Sequence, residues 1–311
     1  MESLSTSRLV AIVGPTATGK SRLALRLAQT FSGEIVSADS WQVYRYMDIG
    51  TAKPSRQELS LVPHHLIDMV NPDEDFSLTQ YQRLAYQIID DIQQRGRLPL
   101  LVGGSGLYVW VVLEGWEIPR VPPDPEFRHS LEEKAAKGGT EELYQELRRV
   151  DPVAARKIDP RNVRRVIRAL EVCRGARIPF SQLQHKKTPP FNALIIGLTA
   201  DRAEVYRRVD LRVDEMIERG LVEEVRKLVD MGYDYNLPAM SGIGYKQIGM
   251  FLRGGLTSAA AIQQIKFETH RLVRHQYSWF RLRDSRILWF DIEHEVEPEI
   301  TALVAHFLRG E

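Results

Sequence analysis

Eight residues near the N-terminus, Gly14-Pro15-Thr16-Ala17-Thr18-Gly19-Lys20-Ser21, carry the pattern G-x-x-x-x-G-K-[ST]. Two glycines at this spacing admit backbone conformations that a Cβ would obstruct. Successive N–H groups and a helix N-terminus then form a concave anion site. Lys20 would neutralise phosphate charge, and the Ser21 hydroxyl would ligate Mg²⁺. The pattern predicts a cradle for a diphosphate or triphosphate and does not say what the phosphates carry. Its default reading is a nucleotide or small-molecule kinase, or an ATPase. Such enzymes also need an acid at a strand end as a metal ligand. Asp39, closing the apolar run "EIVSAD", is better placed than Asp68 in "HHLIDMV". Asp39 could equally be a base for an acceptor, so the kinase reading stays open on these residues alone.

The flanking sequence supplies the elements this chemistry needs. "RLVAIV" reads as a buried strand stopped by Gly14 and Pro15, followed by a helix from Lys20 to Thr30. "GEIVSAD" is a second strand, and "RLPLLVGG" is a third, ended by Gly103 and Gly104. Between them, the stretch from Ser77 to Arg95 has helical spacing, with Ser77 and Gln80 placed as a capping box. Strands separated by helices imply a parallel sheet. The pattern changes near "WEIPRVPPDPEF", after which helix signals dominate and no strand is evident. Asp151-Pro152 and Asp159-Pro160 each read as a cap followed by proline in the first helical turn. "NALIIGLT" resumes the strand pattern, and "RILWFDI" is the expected last strand. The fold expected is α/β: a P-loop NTPase-like core, residues 1–118 and 192–311, with a parallel sheet flanked by helices, interrupted by a mainly helical insertion domain at 119–191.

The single cysteine, Cys173, excludes an internal disulfide framework and a cysteine-based zinc site. No apolar run approaches the roughly 20 residues of a membrane span. The opening "MESLSTSRLV" lacks the zones of a signal peptide, so a cytoplasmic location without membrane contact is expected. A net charge of +1 hides two basic blocks. Residues 153–187 hold ten Lys/Arg against two acids, and 241–286 hold eight against two. Such concentration points to a polyanionic partner. At about 100° per residue, Arg161, Arg164, Arg165 and Arg168 share one helix face, and Val163, Val166, Ile167 and Leu170 the opposite one. Apolar packing would hold this helix while its guanidinium groups meet phosphates. In the second block Arg271, Arg274, Arg281 and Arg283 interleave with Tyr277, Trp279 and Phe280, a mixture suited to a splayed RNA loop. At least one of Trp279 and Phe280 is expected to be core.

Taken in order, "GPTATGKS", "SADSWQVYR", "DIGTAKP", "PHHLID", "GGSGLY", "RNVRRVIRALEV", "VDLRVDEMIERGLVEEV", "SGIGYKQ" and "HQYSWFR" resemble the tRNA dimethylallyltransferases, or tRNA isopentenyltransferases. The resemblance covers about residues 9 to 290. It implies transfer of a dimethylallyl group from dimethylallyl diphosphate to N6 of adenine 37, in tRNAs reading codons that begin with U. The ligand of residues 14–21 would then be an isoprenoid diphosphate, with Mg²⁺ as cofactor, and both basic blocks would bind the anticodon stem-loop. No zinc-finger extension follows, so a bacterial or organellar type, acting as a monomer, is expected.

The resemblance also assigns roles residue by residue. Asp39 matches the catalytic aspartate that orients the amine and accepts its proton. Ser105 stands where threonine is usual and keeps the hydroxyl expected near the bridging oxygen of the diphosphate. Arg212 matches the diphosphate-binding arginine, with Arg208 one turn away in reserve. Asp39, Ser40, Trp41, Gln42 and Ser105 lie in segments that meet the target adenine. Trp41 departs from the usual methionine or arginine, whereas Gln42 keeps an amide able to read an adenine edge. Arg128, Arg161, Asn162, Arg164, Arg165 and Arg168 are expected on the anticodon stem-loop, as are Gly244, Tyr245, Lys246, Gln247, Arg274 and Arg281. His275 replaces a usually basic residue. Adenine 37 is expected to flip into a channel that reaches the diphosphate.

Overall fold

The computed structural model describes residues 7–119, 121–122, 124–183 and 185–310. Most of the opening stretch expected to lack a signal sequence, residues 1–6, lies outside these. The chain divides into two compact units, one of Met1–Leu113 with Pro189–Glu311 and one of Glu114–Thr188. Among the described residues no helix is long and apolar enough to cross a membrane.

The larger unit starts with β1 (Arg8–Val13), α1 (Lys20–Thr30), β2 (Gly33–Ser37), α2 (Arg56–Leu61), β3 (His64–His65), α3 (Leu78–Gln94), β4 (Leu98–Val102) and α4 (Gly106–Leu113). The intervening unit supplies β5 (Trp116–Glu117), α5 (Pro125–Ala136), α6 (Thr140–Val150), α7 (Pro152–Lys157), α8 (Val163–Ala176) and β6 (His185–Lys186). The larger unit resumes with β7 (Asn192–Thr199), α9 (Arg202–Glu218), α10 (Leu221–Asp230), α11 (Tyr245–Leu252), α12 (Ser258–Trp279), β8 (Ile287–Asp291) and α13 (Glu297–Arg309).

Six strands form one parallel sheet in the order β3-β2-β4-β1-β7-β8. Every residue of β2 and β4 is buried, the expected state of a parallel strand covered on both faces. Register then does the positioning. Ile12 and Ser37 both pair with Val102, so the carboxyl ends of β1, β2 and β4 finish side by side. The turns that follow those ends carry Gly14–Ser21, Asp39 and Ser105. A ligand crevice outside the strand carboxyl ends is the general site of open α/β sheets. Gly14 makes the approach possible: its φ is +133°, and a Cβ there would stand 2.3 Å from the Leu198 carbonyl oxygen. On α9, Val205, Val209 and Val213 recur at every fourth position and are buried, which fixes the helix that carries Arg212.

The smaller unit packs Leu131, Leu143, Leu147, Val166, Ile167 and Leu170 into its own core. Two expectations need correction there. A two-residue strand, β6, pairs antiparallel with β5, too short for periodicity to register. The helix after Asp159-Pro160 starts later than predicted: Asp159 folds back onto the Arg161 N–H, and Asn162 caps α8 by accepting from the Arg165 N–H. Asp151-Pro152 does start α7 as read, the Asp151 carboxylate capping Ala154.

Glu171, buried on α8, accepts from Arg128, from Arg168 at 2.6 Å, and from the Asp124 N–H. Burial alone would raise its pKa, but the bonds from Arg168, Arg128 and Asp124 outweigh this and lower it. The stability it contributes is therefore complete above pH 4.5 and lost as pH falls through the lowered value. Both arginines stay partly exposed, so the contribution is about 1–2 kcal/mol. Glu171→Gln is expected to lower the melting temperature at pH 7 and to flatten its decline below pH 5 (roughly the usual carboxylate range). A variant with unchanged acid sensitivity would remove Glu171 from that account.

Candidate active site

The phosphate loop leaves β1 and enters α1 through three left-handed or otherwise positive-φ residues, Gly14, Ala17 and Gly19. Alternation of this kind turns amides to one side and builds an anion nest. Within the loop, Thr18 Oγ1 and Lys20 Nζ both donate to the Pro15 carbonyl, at 2.9 and 2.6 Å. Ala17 packs against Val205, Val209 and Val273, which seats the loop on α9 and α12.

A cavity of about 490 Å³ opens beside the loop. Thr16, Lys20, Ser21, Asp39, Ser105 and Arg212 all line it. Its walls are completed by Ser40, Trp41 and Gln42, by Gly242 to Tyr245, and by His275, Gln276 and Trp279. Three of the predicted diphosphate residues, Thr16, Lys20 and Ser21, are thus brought together with the predicted catalytic residues, although α9 lies about 190 residues from the loop (Arg212 Nη1 reaches Thr16 Oγ1 at 3.5 Å across a separation of 196); Gly14, Pro15, Ala17, Thr18 and Gly19 shape the loop without lining the cavity. Arg208, the reserve, is tied to Glu204 at 2.6 Å instead.

The electrostatics of the cavity are unbalanced. Burial, reinforced by Arg212 and opposed by Asp39, lowers the Lys20 pKa to about 7. Burial also lowers Arg212, with Asp39 and Glu215 opposing, though a guanidinium remains charged. Burial raises the pKa of Asp39, against the amides of Trp41 and Gln42 and the charges of Lys20 and Arg212. Asp39 Oδ1 accepts the Trp41 N–H at 2.8 Å, which turns the chain after β2. Two cationic groups and several amides therefore surround a single carboxylate. An entering polyanion would offset the burial and the Arg212 repulsion that together depress Lys20, and the raised carboxylate is suited to accept a proton.

Other predicted contacts divide. Ser105 Oγ faces the cavity and accepts the Ser40 N–H at 3.1 Å. Trp41 lines the cavity over Gly242, where a Cβ would come within 3.0 Å of the ring. The Gln42 amide is already engaged: Oε1 accepts from Ser37, and Nε2 donates to the carbonyls of Thr51 and Ala52. A base could meet it only by displacing these bonds. In the 244–247 segment Lys246 is exposed, whereas Gln247 is buried as the cap of Gly244, and the buried Tyr245 donates its hydroxyl to Glu224. Arg274 and Arg281 are exposed, Arg274 donating to the Tyr206 hydroxyl. Phe280 is core and Trp279 lines the cavity, as the dual reading of that pair allowed. Asp68 pairs with the buried Lys53 at 2.6 Å and takes no part in the cavity.

In the smaller unit, Arg164 and Arg165 are exposed and have no ion-pair partner among the described residues. Arg161 is bonded to Asp159, while Arg128 and Arg168 are held by Glu171. Sequence reading missed Gln276, Trp279 as a wall, His64, and the Glu224 carboxylate that accepts the N–H groups of Asp48, Ile49 and Gly50. Only the glycine content of "DIGTAKP" hinted at the last of these.

Fold and cavity together define a phosphate-loop protein of the group-transfer class, with an anion cradle and one half-buried carboxylate facing the same space. The chain belongs to the IPP transferase family, whose model matches residues 42–283. The match begins after the phosphate loop, so the loop rests on its own geometry. Similar chains include the tRNA dimethylallyltransferase of Dehalococcoides mccartyi, 51% identical over 96% of this chain and 92% of its own. That of Chloroflexus aggregans is 52% identical over 91% of this chain and 96% of its own. The crystal structure of the tRNA isopentenylpyrophosphate transferase of Bacillus halodurans is 41% identical, with a TM-score of 0.73, and covers 98% of this chain and 97% of its own. A eukaryotic dimethylallyltransferase captured acting on tRNA is 25% identical, with a TM-score of 0.82, over 98% of this chain and 80% of its own.

Since an anion raises the pKa of a neighbouring amine, diphosphate binding at pH 8 (above the depressed value of about 7) should draw a proton onto Lys20. Calorimetric titration with inorganic diphosphate in buffers of different ionisation heat is expected to show this uptake. Lys20→Arg keeps the charge and should show less. Equal uptake by the two proteins would rule out a neutral Lys20 in the free state.

Proposed function

We propose that this protein transfers a dimethylallyl group from dimethylallyl diphosphate to N6 of adenine 37 in tRNAs that read codons beginning with U. The observation that carries the proposal is the placement of Lys20, Arg212 and Asp39 in one cavity at the phosphate loop. In the reaction the C1–O bond of the allyl diphosphate breaks, and diphosphate leaves with the electron pair. The adenine N6 forms the new bond to C1 and releases a proton, which Asp39 accepts. Negative charge grows on the departing diphosphate, against the loop amides, Lys20 and Arg212. The raised Asp39 carboxylate is a stronger base than an ordinary one, matched to a weakly acidic amine proton.

The donor chemistry fits Mg²⁺. Ser21 offers an oxygen ligand to the cavity, and no group of three or more His, Cys, Asp or Glu side chains among the described residues could hold a metal by itself. Such a site suits a cation that keeps waters and takes further oxygens from phosphates. When bound, Mg²⁺ would supply further neutralisation of diphosphate charge. Arg164 and Arg165 on the insertion, with Arg274, Lys246 and Arg281 on the core, are the exposed cations proposed to meet the anticodon stem-loop. In this proposal the protein acts as a cytoplasmic monomer.

The rival is a phosphate-loop kinase, which would use ATP. It is weakened by Asp68, which serves Lys53 and leaves no acid besides Asp39 at the cavity. Unmodified tRNA incubated with protein, Mg²⁺ and either dimethylallyl diphosphate or ATP separates the two by mass. A C5 addition from the first is expected; phosphoryl transfer from ATP without it would reverse the assignment. Asp39→Ala is expected to lower the transfer rate by at least about 10²-fold while inorganic diphosphate still binds. Turnover that survives the change would take Asp39 out of the reaction.

Arg165→Ala should weaken tRNA binding and reduce the slope of log affinity against log salt by roughly one. An unaltered slope would show that Arg165 meets no phosphate.

A further inference from the structure

Gln276 lies on α12, two residues beyond Arg274, and is buried. Its Oε1 accepts the Thr16 N–H at 2.9 Å, and its Nε2 donates to the Gly104 carbonyl at 3.1 Å. One side chain therefore ties together the backbones of two turns that face the cavity. Gly104 leaves room for it, because a Cβ there would lie 2.2 Å from Nε2. At one end of this tie, Thr16 Oγ1 meets Arg212. At the other, Ser105 follows Gly104 and accepts from Ser40, the neighbour of Asp39.

Only a primary amide offers a neutral acceptor and a donor at these two points. A carboxylate would accept from Thr16 but oppose the Gly104 carbonyl, and a hydrocarbon would leave both unmet. We propose that Gln276 is a positioning residue for the transfer reaction: it fixes the separation between the diphosphate cradle and Ser105, and it withdraws the Thr16 amide from the cradle. The anion is then held by the amides of residues 17–21. The α12 helix that also carries Arg274 thus sets the position of the phosphate loop. This inference rests on the loop being a diphosphate cradle, as proposed above.

The test compares wild type, Gln276→Met and Gln276→Glu for melting temperature, affinity for inorganic diphosphate with Mg²⁺, affinity for an anticodon stem-loop RNA, and steady-state transfer. Gln276→Met is expected to raise the diphosphate Kd and the KM for dimethylallyl diphosphate roughly tenfold, the scale of one lost hydrogen bond. Gln276→Glu should be weaker still, because it adds charge beside the anion. Stem-loop affinity should stay within about twofold for both, since phosphate contacts set that term. A folded Gln276→Met with wild-type diphosphate affinity and KM overturns the inference. Amide exchange in the wild type gives a reading that needs no variant. Added diphosphate should slow exchange at residues 17–21 and leave Thr16 unchanged, whereas slowing at Thr16 would place that amide on the ligand and also overturn it. If wild type binds no diphosphate, the proposed function fails; wild-type binding that Gln276 does not influence defeats only the inference.

Discussion

The excess of half-buried positive charge around Asp39 is the constraint from which the rest of the site follows. Lys20 and Arg212 would not stand together in a partly apolar cavity unless the chain held them there, and it does so by two helices far apart in sequence, α1 and α9. Lys20 is fixed by its place in the first turn of α1, where the helix terminus adds its own positive field. Arg212 is fixed because the valines at 205, 209 and 213 bury the face of α9 next to it. Burial first and Arg212 second depress Lys20, and an entering polyanion would offset both.

A phosphate cradle does not decide which bond its ligand breaks. The same amides and lysine would steady a nucleotide while its terminal phosphate moves, or an allyl diphosphate while its carbon moves. In the proposed reaction the discrimination falls to the other residues that line the cavity. Trp41, packed over Gly242, and Trp279 line the cavity together with Asp39. An aromatic, small-residue surface next to a carboxylate matches a flat, exposed base better than it matches a second phosphate.

Much of this was legible from residues adjacent in the chain. The long strands, the α1 cradle and the placement of Asp39 at a strand end follow from apolar runs and the glycines that stop them. What escaped has a common cause. β3, β5 and β6 are two residues each, below the length at which alternation means anything. Projection puts Arg161 on the α8 face because it assumes a continuous helix, whereas Asn162 caps that helix three residues later than Asp159, the expected cap. Gln42, Tyr245 and Gln247 looked like exposed polar contacts, yet each is consumed by a partner that no local pattern reveals. Gln276 is the extreme case, its acceptor bonded to a residue 260 positions away. Hydrophobic periodicity reports which face is buried and is silent on what a buried amide touches.

The close passage of Gly14 against Leu198 sets an order of assembly. β1 sits between β4 and β7, so one of its two ladders waits for a strand that lies beyond the whole insertion. During synthesis the first 113 residues can pair β1 with β4, but the sheet is left with an open edge on the β7 side. The residues of the second compact unit emerge next and can bury their own leucines while that edge stays unpaired. Only after residue 198 leaves the ribosome can the wall behind the phosphate loop exist. The earliest motif in the chain is therefore among the last to acquire its working shape, and a truncated product would carry the signature of an anion site without the backing that forms one.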